Sequence, residues 1–257
     1  MVTLGDIYDF LDAWAPFSTQ MSYDNAGLLV GSRGRTVGSI GTALDVTSET
    51  LAAAVRAGCD LIVSHHPVIF QPVRRLSDDC LPARLVAAGV AVLSAHTNLD
   101  AAAGGVNDVL ARTLGLSQVE GLADPHTPGL PACARTGCLP REMTAGELAR
   151  FVKERLGVGG LRYTHRDGLI RRVAVCGGAG ADDFMEPAME AGCDALITGE
   201  AKHHQLLAAR EAGFCLVDGS HFSTEQMIKE ELAARLSTAF PSIPVQTLEE
   251  TAPATYI

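Results

Sequence analysis

The chain is poor in aromatics, with 8 Phe, 4 Tyr and 1 Trp in 257 residues. It is also short of positive charge: 20 Lys and Arg stand against 30 Asp and Glu, a formal net charge of −10. Nucleic-acid binding rests on neutralised phosphates and stacked bases, and this composition supplies little of either. Arg74-Arg75 and Arg171-Arg172 are its notable basic doublets. A nucleic-acid partner is therefore not expected. Long apolar runs are absent as well. Stretches such as Asp60-Leu61-Ile62-Val63-Ser64 have strand length, far below the roughly 20 residues of a bilayer span. The opening Met1-Val2-Thr3-Leu4-Gly5-Asp6 has neither the basic nor the apolar region of an export signal. The expectation is a cytoplasmic protein with no membrane partner.

Seven cysteines occur, at 59, 80, 133, 138, 176, 193 and 215, with no C-x-x-C pair. Most sit in apolar, strand-like surroundings such as Phe214-Cys215-Leu216, where a thiol behaves as a small hydrophobe. An odd number of scattered thiols reads as a reduced core in a reducing compartment, not as a disulfide or zinc framework.

What is present is a globular composition, 47% hydrophobic and 19% charged, enough for one large or two small domains. Thr3 can cap a helix whose apolar residues Ile7, Phe10, Leu11 and Trp14 recur at helical spacing, with Pro16 ending it. Short strands are predicted at 28–30 and 39–44, then a helix from Thr47 or Ser48 to Gly58. A strand at 60–64, a helix at 82–88 and a strand at 90–94 follow. Alternation of this kind with short connections indicates a parallel sheet with right-handed crossovers. Three prolines and a glycine between Asp124 and Pro131 mark a linker. Beyond it, Thr144 and Glu147 predict a capping box for a helix to Gly157. Strands at 161–164 and 170–176, a helix to 191, a strand at 194–198, a helix to 212, a strand at 214–217 and a helix over 224–236 complete the pattern.

The string Ala57-Gly58-Cys59-Asp60-Leu61-Ile62-Val63-Ser64 recurs as Ala191-Gly192-Cys193-Asp194-Ala195-Leu196-Ile197-Thr198. Each copy is preceded by a strand about 18 residues upstream. The fold class expected is α/β, with two similarly wound α/β domains.

In such sheets, sites form beyond the carboxyl ends of strands, and the polar residues of this chain collect there. Predicted strands run into Asp45, into His65-His66-Pro67, and into His96-Thr97-Asn98-Leu99-Asp100. Others run into Gly199-Glu200-Ala201-Lys202-His203-His204 and into Asp218-Gly219-Ser220-His221, with Glu225 a helical turn further on. A lone loop histidine is ordinarily a surface residue. An adjacent pair differs, because neighbouring side chains on extended backbone point to opposite sides and can serve two ions. His, Asp and Glu without thiolates suit Zn, Mn, Fe, Ni or Co. Val175-Cys176-Gly177-Gly178-Ala179-Gly180 lies between a strand and a helix. It lacks the P-loop Lys and the full dinucleotide spacing, so a tight turn is the simpler expectation. No nucleophile elbow is present.

The strings Ser22–Gly31, Leu44-Asp45-Val46-Thr47, Ser64-His65-His66-Pro67, His96–Asp100, Thr198-Gly199-Glu200 and Gly219-Ser220-His221 together resemble the NIF-three-like proteins, whose members often carry the name GTP cyclohydrolase I type 2 homologue. The resemblance covers nearly the whole chain. It implies a dinuclear centre of two divalent metal ions per subunit, with His65, His66, Asp100, His221 and Glu225 as ligands. It also implies interleaved α/β domains and a toroidal homohexamer. Ligands near 65–100 and 221–225 can share a site only if the chain returns to the first domain. The expected division is thus 1–125 with 216–257 around an inserted 126–215. A metal-dependent hydrolase of a nucleotide-like or phosphorylated small molecule leads, ahead of a GTP cyclohydrolase proper; a non-catalytic metal-binding or regulatory scaffold is the alternative. His96, Glu200 and His204 are the candidates for acid–base catalysis.

Overall fold

A computed structural model describes residues 1–124 and 126–257; Pro125, within the expected linker and at the expected domain boundary, lies outside the described residues. In chain order the first elements are α1 (Leu4–Trp14), β1 (Gly27–Val30), β2 (Ile40–Ala43), α2 (Ser48–Arg56), β3 (Leu61–Ser64), α3 (Leu81–Ala88), β4 (Ala91–Ser94) and α4 (Thr97–Ala101). Next come α5 (Val106–Thr113), β5 (Ser117–Leu122), β6 (Ala134–Met143), α6 (Ala145–Leu156), β7 (Arg162–Tyr163), β8 (Ile170–Cys176), α7 (Ala181–Glu190), β9 (Ala195–Thr198) and α8 (His203–Glu211). The last are β10 (Cys215–Asp218), α9 (His221–Glu225), α10 (Ile228–Ala239) and β11 (Val245–Thr247).

The chain divides into two compact units, Met1–Ala103 with Ile228–Thr251, and Gly104–Met227 with Ala252–Ile257. The boundaries anticipated at 125/126 and 215/216 both fall inside the second unit, because α5 and β10 contribute to its core. Leu110 and Leu114 of α5 pack with Val175 of β8, Ile197 of β9 and Val217 of β10.

Among the described residues, the first unit has a sheet ordered β1-β4-β3-β2-β11, parallel except for β1, which pairs antiparallel with β4. Its central strands β2, β3 and β4 are short and buried on both faces. Ala43, Ile62 and Val92 face a cluster with Leu51 of α2 and Leu85 of α3. Alternate residues Leu61, Val63 and Leu93 point the other way and are fully buried. The second unit has a sheet ordered β5-β6-β8-β9-β10-β7, parallel across β8, β9 and β10 and antiparallel elsewhere. Here the period of two separates two cores. Val173, Val175 and Ile197 join one, and Ala174, Cys176 and Leu196 join the other.

The repeated string performs the same structural task in both units. Gly58 and Gly192 take left-handed φ of 67° and 71°, the conformation that ends a helix without a Cβ penalty. Cys59 then donates to Ala54 O and Cys193 to Ala188 O, both at 2.9 Å. One carboxylate oxygen of Asp60 accepts from Gly38 N at 2.8 Å, and one of Asp194 from Arg171 N at 2.9 Å. Strands β2-β3-β4 and β8-β9-β10 are in each case parallel neighbours in chain order.

The expected caps are present. Thr3 with Asp6, Thr47 with Thr50 and Thr144 with Glu147 form reciprocal capping boxes, each worth about 1 kcal/mol. Several features differ from the sequence-based expectation, among them α4, α5 and β11, which were not anticipated. The sheets are mixed, not wholly parallel. Strands β5 and β6 were not anticipated, because Gly137 and Pro140 interrupt the pattern of β6; the β6–β8 register slips between Cys138 and Met143, where a proline removes no ladder bond. The helix expected over 224–236 is divided between α9 and α10 at Gln226–Met227. All seven cysteines are free thiols, five of them buried. No helix of the described residues is long and apolar enough to cross a membrane.

Candidate metal centre

Each unit presents a donor set at the carboxyl ends of its parallel strands. In the first, β3 ends at Ser64, and His65 and His66 follow directly. Hydrogen bonds from His65 N to Ala43 O (3.2 Å) and from His66 N to Leu44 O (2.9 Å) carry the pairing with the β2 side past the strand end. Ser64 Oγ lies 2.8 Å from Ser94 Oγ and donates to His66 O at 2.9 Å, bracing the turn. Beyond β4, Asn98 accepts from His96 N at 2.9 Å and donates to Ala15 O at 2.6 Å. This buried amide fixes the loop that carries His96 and Asp100.

His65, His66 and His96 each offer a ring nitrogen, and the three lie within 4.8 Å of one another. Their ring centroids are 4.9, 5.2 and 5.5 Å apart. His65 is fully buried, with Nε2 3.5 Å from Asp100 Oδ1. Three imidazoles this close cannot all carry charge without strong repulsion.

The second unit contributes His221, Glu225 and Glu200. Strand β10 ends at Asp218, and Ser220 turns the chain with a φ of 73°, rare for a residue with a Cβ. That turn starts α9, which places His221 and Glu225 one turn apart with Nε2 and Oε2 3.0 Å from each other. Glu200, just past β9, accepts from His221 Nδ1 at 2.7 Å. Glycines make room for this pair. A Cβ on Gly178 would collide with the Glu225 carboxylate, and one on Gly199 would sit 2.6 Å from His221 Cα. The Gly177-Gly178 turn thus serves close backbone approach to the acidic residue. Thr224 Oγ1 accepts from Gly178 N at 3.1 Å and ties the helix to that turn.

A common pattern runs through both sets. His65 Nδ1 faces Ala95 O at 2.9 Å, His66 Nδ1 faces Asp45 Oδ1 at 2.8 Å, and His96 Nδ1 faces Asp24 Oδ1 at 2.7 Å. His221 Nδ1 faces Glu200 in the same way. Carbonyl and carboxylate oxygens only accept. His221 has a carboxylate at both nitrogens, with Nε2 3.0 Å from Glu225 Oε2. In the neutral rings of His65, His66 and His96, Nδ1 therefore carries the proton and Nε2 keeps its lone pair. This arrangement is the usual outer support of metal-binding histidines. Burial alone would raise the Asp24 carboxyl. The hydrogen bond and charge of His96, with two donors from Thr97, outweigh it and hold the group at about 2.

His65, His66, Asp100 and His96 are thus brought together in the first unit, and His221, Glu225 and Glu200 in the second. His204 stands on α8, exposed, with Nε2 3.9 Å from Asp182 Oδ1. Sequence reasoning did not assign the supports Asp24, Asn98, Gly178 and Gly199. Asp24 and Asn98 do lie inside the strings that carry the family resemblance, and the two glycines adjoin strand ends.

Imidazole nitrogens and carboxylate oxygens fit a borderline or hard divalent ion, and the clusters could bind metal ions. The Duf34/NIF3 (NGG1p interacting factor 3) family pattern matches residues 2–253. A Clostridium acetobutylicum protein named GTP cyclohydrolase 1 type 2 homolog is 32% identical over 248 residues, spanning 94% of this chain and 92% of its own. A Streptomyces coelicolor protein of the same name is 34% identical, spanning 92% and 86%. Among solved structures, Staphylococcus aureus protein SA1388 matches with a TM-score of 0.91 at 28% identity, over 100% of this chain and 99% of its own. A protein named ybgI, of unknown function, matches with a TM-score of 0.86 at 27% identity, over 98% and 100%. With its sequence matched from residue 2 to 253 and its strand-end histidines and carboxylates in place, the chain belongs to the Duf34/NIF3 family.

Proposed function

We propose that the protein is a metal-dependent hydrolase acting on a phosphorylated or nucleotide-like small molecule. In this reading His65, His66, Asp100, His221 and Glu225 hold two divalent ions. The observation that carries it is the shared orientation of the histidines: Nδ1 of His65, His66 and His221 each faces an oxygen that can only accept, the outer support that orients Nε2 for a metal. The ions, when bound, supply Lewis-acid activation of water and polarisation of the scissile bond.

The chain's own residues supply the rest. Asp45 and Glu200 hold His66 and His221 in the coordinating tautomer. His96, its Nδ1 fixed by Asp24, can hold or deliver a proton through Nε2 beside the donor cluster. Glu200 is half exposed and can exchange protons with solvent while orienting His221. His204 is the more remote acid–base candidate. The resemblance to the family adds a homohexamer of closed symmetry, and the seven free thiols suit a reducing, cytoplasmic setting.

Elemental analysis of protein purified without added metal, paired with a hydrolysis screen over nucleotides and phosphoesters, tests this reading. Two ions per chain and a phosphoester turned over are expected. Fewer than one ion after reconstitution, or unchanged metal in a His65→Ala, Glu225→Ala double variant, refutes the ligand set. His96→Gln should keep both ions while turnover falls at least about 100-fold, the lower range for losing a general acid. Loss of metal in that variant would make His96 a ligand or its support.

A further inference from the structure

In a chain with few aromatic rings, two of the exposed ones lie side by side next to the first donor set. Tyr23 is 64% exposed and Phe70 41% exposed. Their ring centroids are 6.5 Å apart and roughly perpendicular. Phe70 in turn meets His96 edge-to-face at 6.0 Å. The rings form a continuous line from solvent to the histidine cluster.

This line is held in place on both sides. Asp24 accepts from His96 Nδ1 at 2.7 Å and from Thr97 N at 3.1 Å. Asn25 donates to Ile69 O at 2.5 Å. The residue before Phe70 and the two after Tyr23 are therefore anchored, while the rings themselves face solvent. Two exposed rings in contact, held through their neighbours, offer a ligand a preformed apolar surface.

We propose that Tyr23 and Phe70 form a stacking wall that selects substrates carrying a planar heteroaromatic ring. The inference rests on the hydrolase reading above, which puts the reacting bond at the histidine cluster; it adds which end of the substrate is recognised and by which residues. A purine-sized ring laid against this wall covers apolar surface and leaves the attached phosphate directed at His96 and its neighbours. Stacking on aromatic side chains contributes about 1–3 kcal/mol per base, about 5- to 150-fold in affinity.

The test is titration calorimetry on the full-length, metal-loaded protein with adenosine 5′-monophosphate and ribose 5-phosphate, which share the phosphate and differ in the ring. The nucleotide should bind at least about tenfold more tightly. Tyr23→Ala and Phe70→Ala should each remove most of that advantage without changing ribose 5-phosphate binding, and Tyr23→Phe should retain it. Equal affinity for the two ligands, no nucleotide binding, or equal loss of both ligands in the alanine variants overturns the proposal. A fall in light-scattering mass in either alanine variant also overturns it, because the wall would then be covered by a second copy. Metal content and phosphoester turnover measured on the same samples separate the two readings. Two ions and turnover without ring preference would remove the stacking wall alone; absence of metal would remove the hydrolase reading.

Discussion

Gly199→Ala is a sharp perturbation of the second donor set. A Cβ at this position would lie 2.6 Å from His221 Cα, 2.7 Å from Thr224 Oγ1 and 2.8 Å from Gly178 O. Against the 3.4 Å at which ordinary contact begins, each is short by more than half an ångström. Two of the three obstacles are backbone atoms, which no rotamer change can remove. Either the start of α9 or the Gly178 turn must move by roughly half an ångström, about the tolerance of a working site. Overpacking of this kind costs about 1–3 kcal/mol, and about 2–4 °C in Tm is expected per kcal/mol for a chain of this size. The expected result is a Tm lowered by several degrees with weakened metal binding, read by calorimetry and elemental analysis. Gly34→Ala is the control: its Cβ would meet nothing within 4 Å, so no loss is expected. If Gly199→Ala melts with the wild type and keeps its metal, the close packing of glycine against His221 is not what positions that ligand.

Other outcomes follow from the same contacts. Asp45→Asn removes the carboxylate that accepts from His66 Nδ1, and metal affinity measured by competition with a chelator should fall about 10- to 100-fold. Asp24 is held at about 2, below its usual value of about 3.9. Its contribution to stability is therefore complete above the unfolded value and is lost as pH falls through the folded one. Wild-type and Asp24→Asn melting temperatures should differ at neutral pH and converge near pH 2; a constant difference across that range would refute the assignment. Burial pushes the Cys215 thiol up to about 12, and Cys59, Cys133, Cys176 and Cys193 are buried with it. A thiol reagent at pH 8 should label Cys80 and Cys138 in the folded protein and the other five only on denaturation, as mass spectrometry would show.

The sequence by itself determined the capped helix starts and the parallel strands β2, β3, β4, β8, β9 and β10, because those signals are local. Thr3, Thr47 and Thr144 cap the helices they precede, and a side chain three residues from a backbone N–H needs no distant partner to act. It also placed the polar residues at strand ends, since a chain that leaves a parallel sheet must leave it there. The histidine–carboxylate pairs were legible as residues, but their geometry was not. Only tertiary structure decided that each Nδ1 would meet an oxygen, because Asp24 and His96 are 72 residues apart and Asp45 and His66 are 21 apart. Strand β6 depended on antiparallel pairing with β8, which compensates for the Gly and Pro that weaken it locally, and β5 on pairing with β6. The break between α9 and α10 was likewise invisible, since Glu225-Gln226-Met227-Ile228 contains no helix breaker. There the two halves of one helical sequence fall in different compact units, and tertiary context outweighs the small propensity differences that a sequence displays.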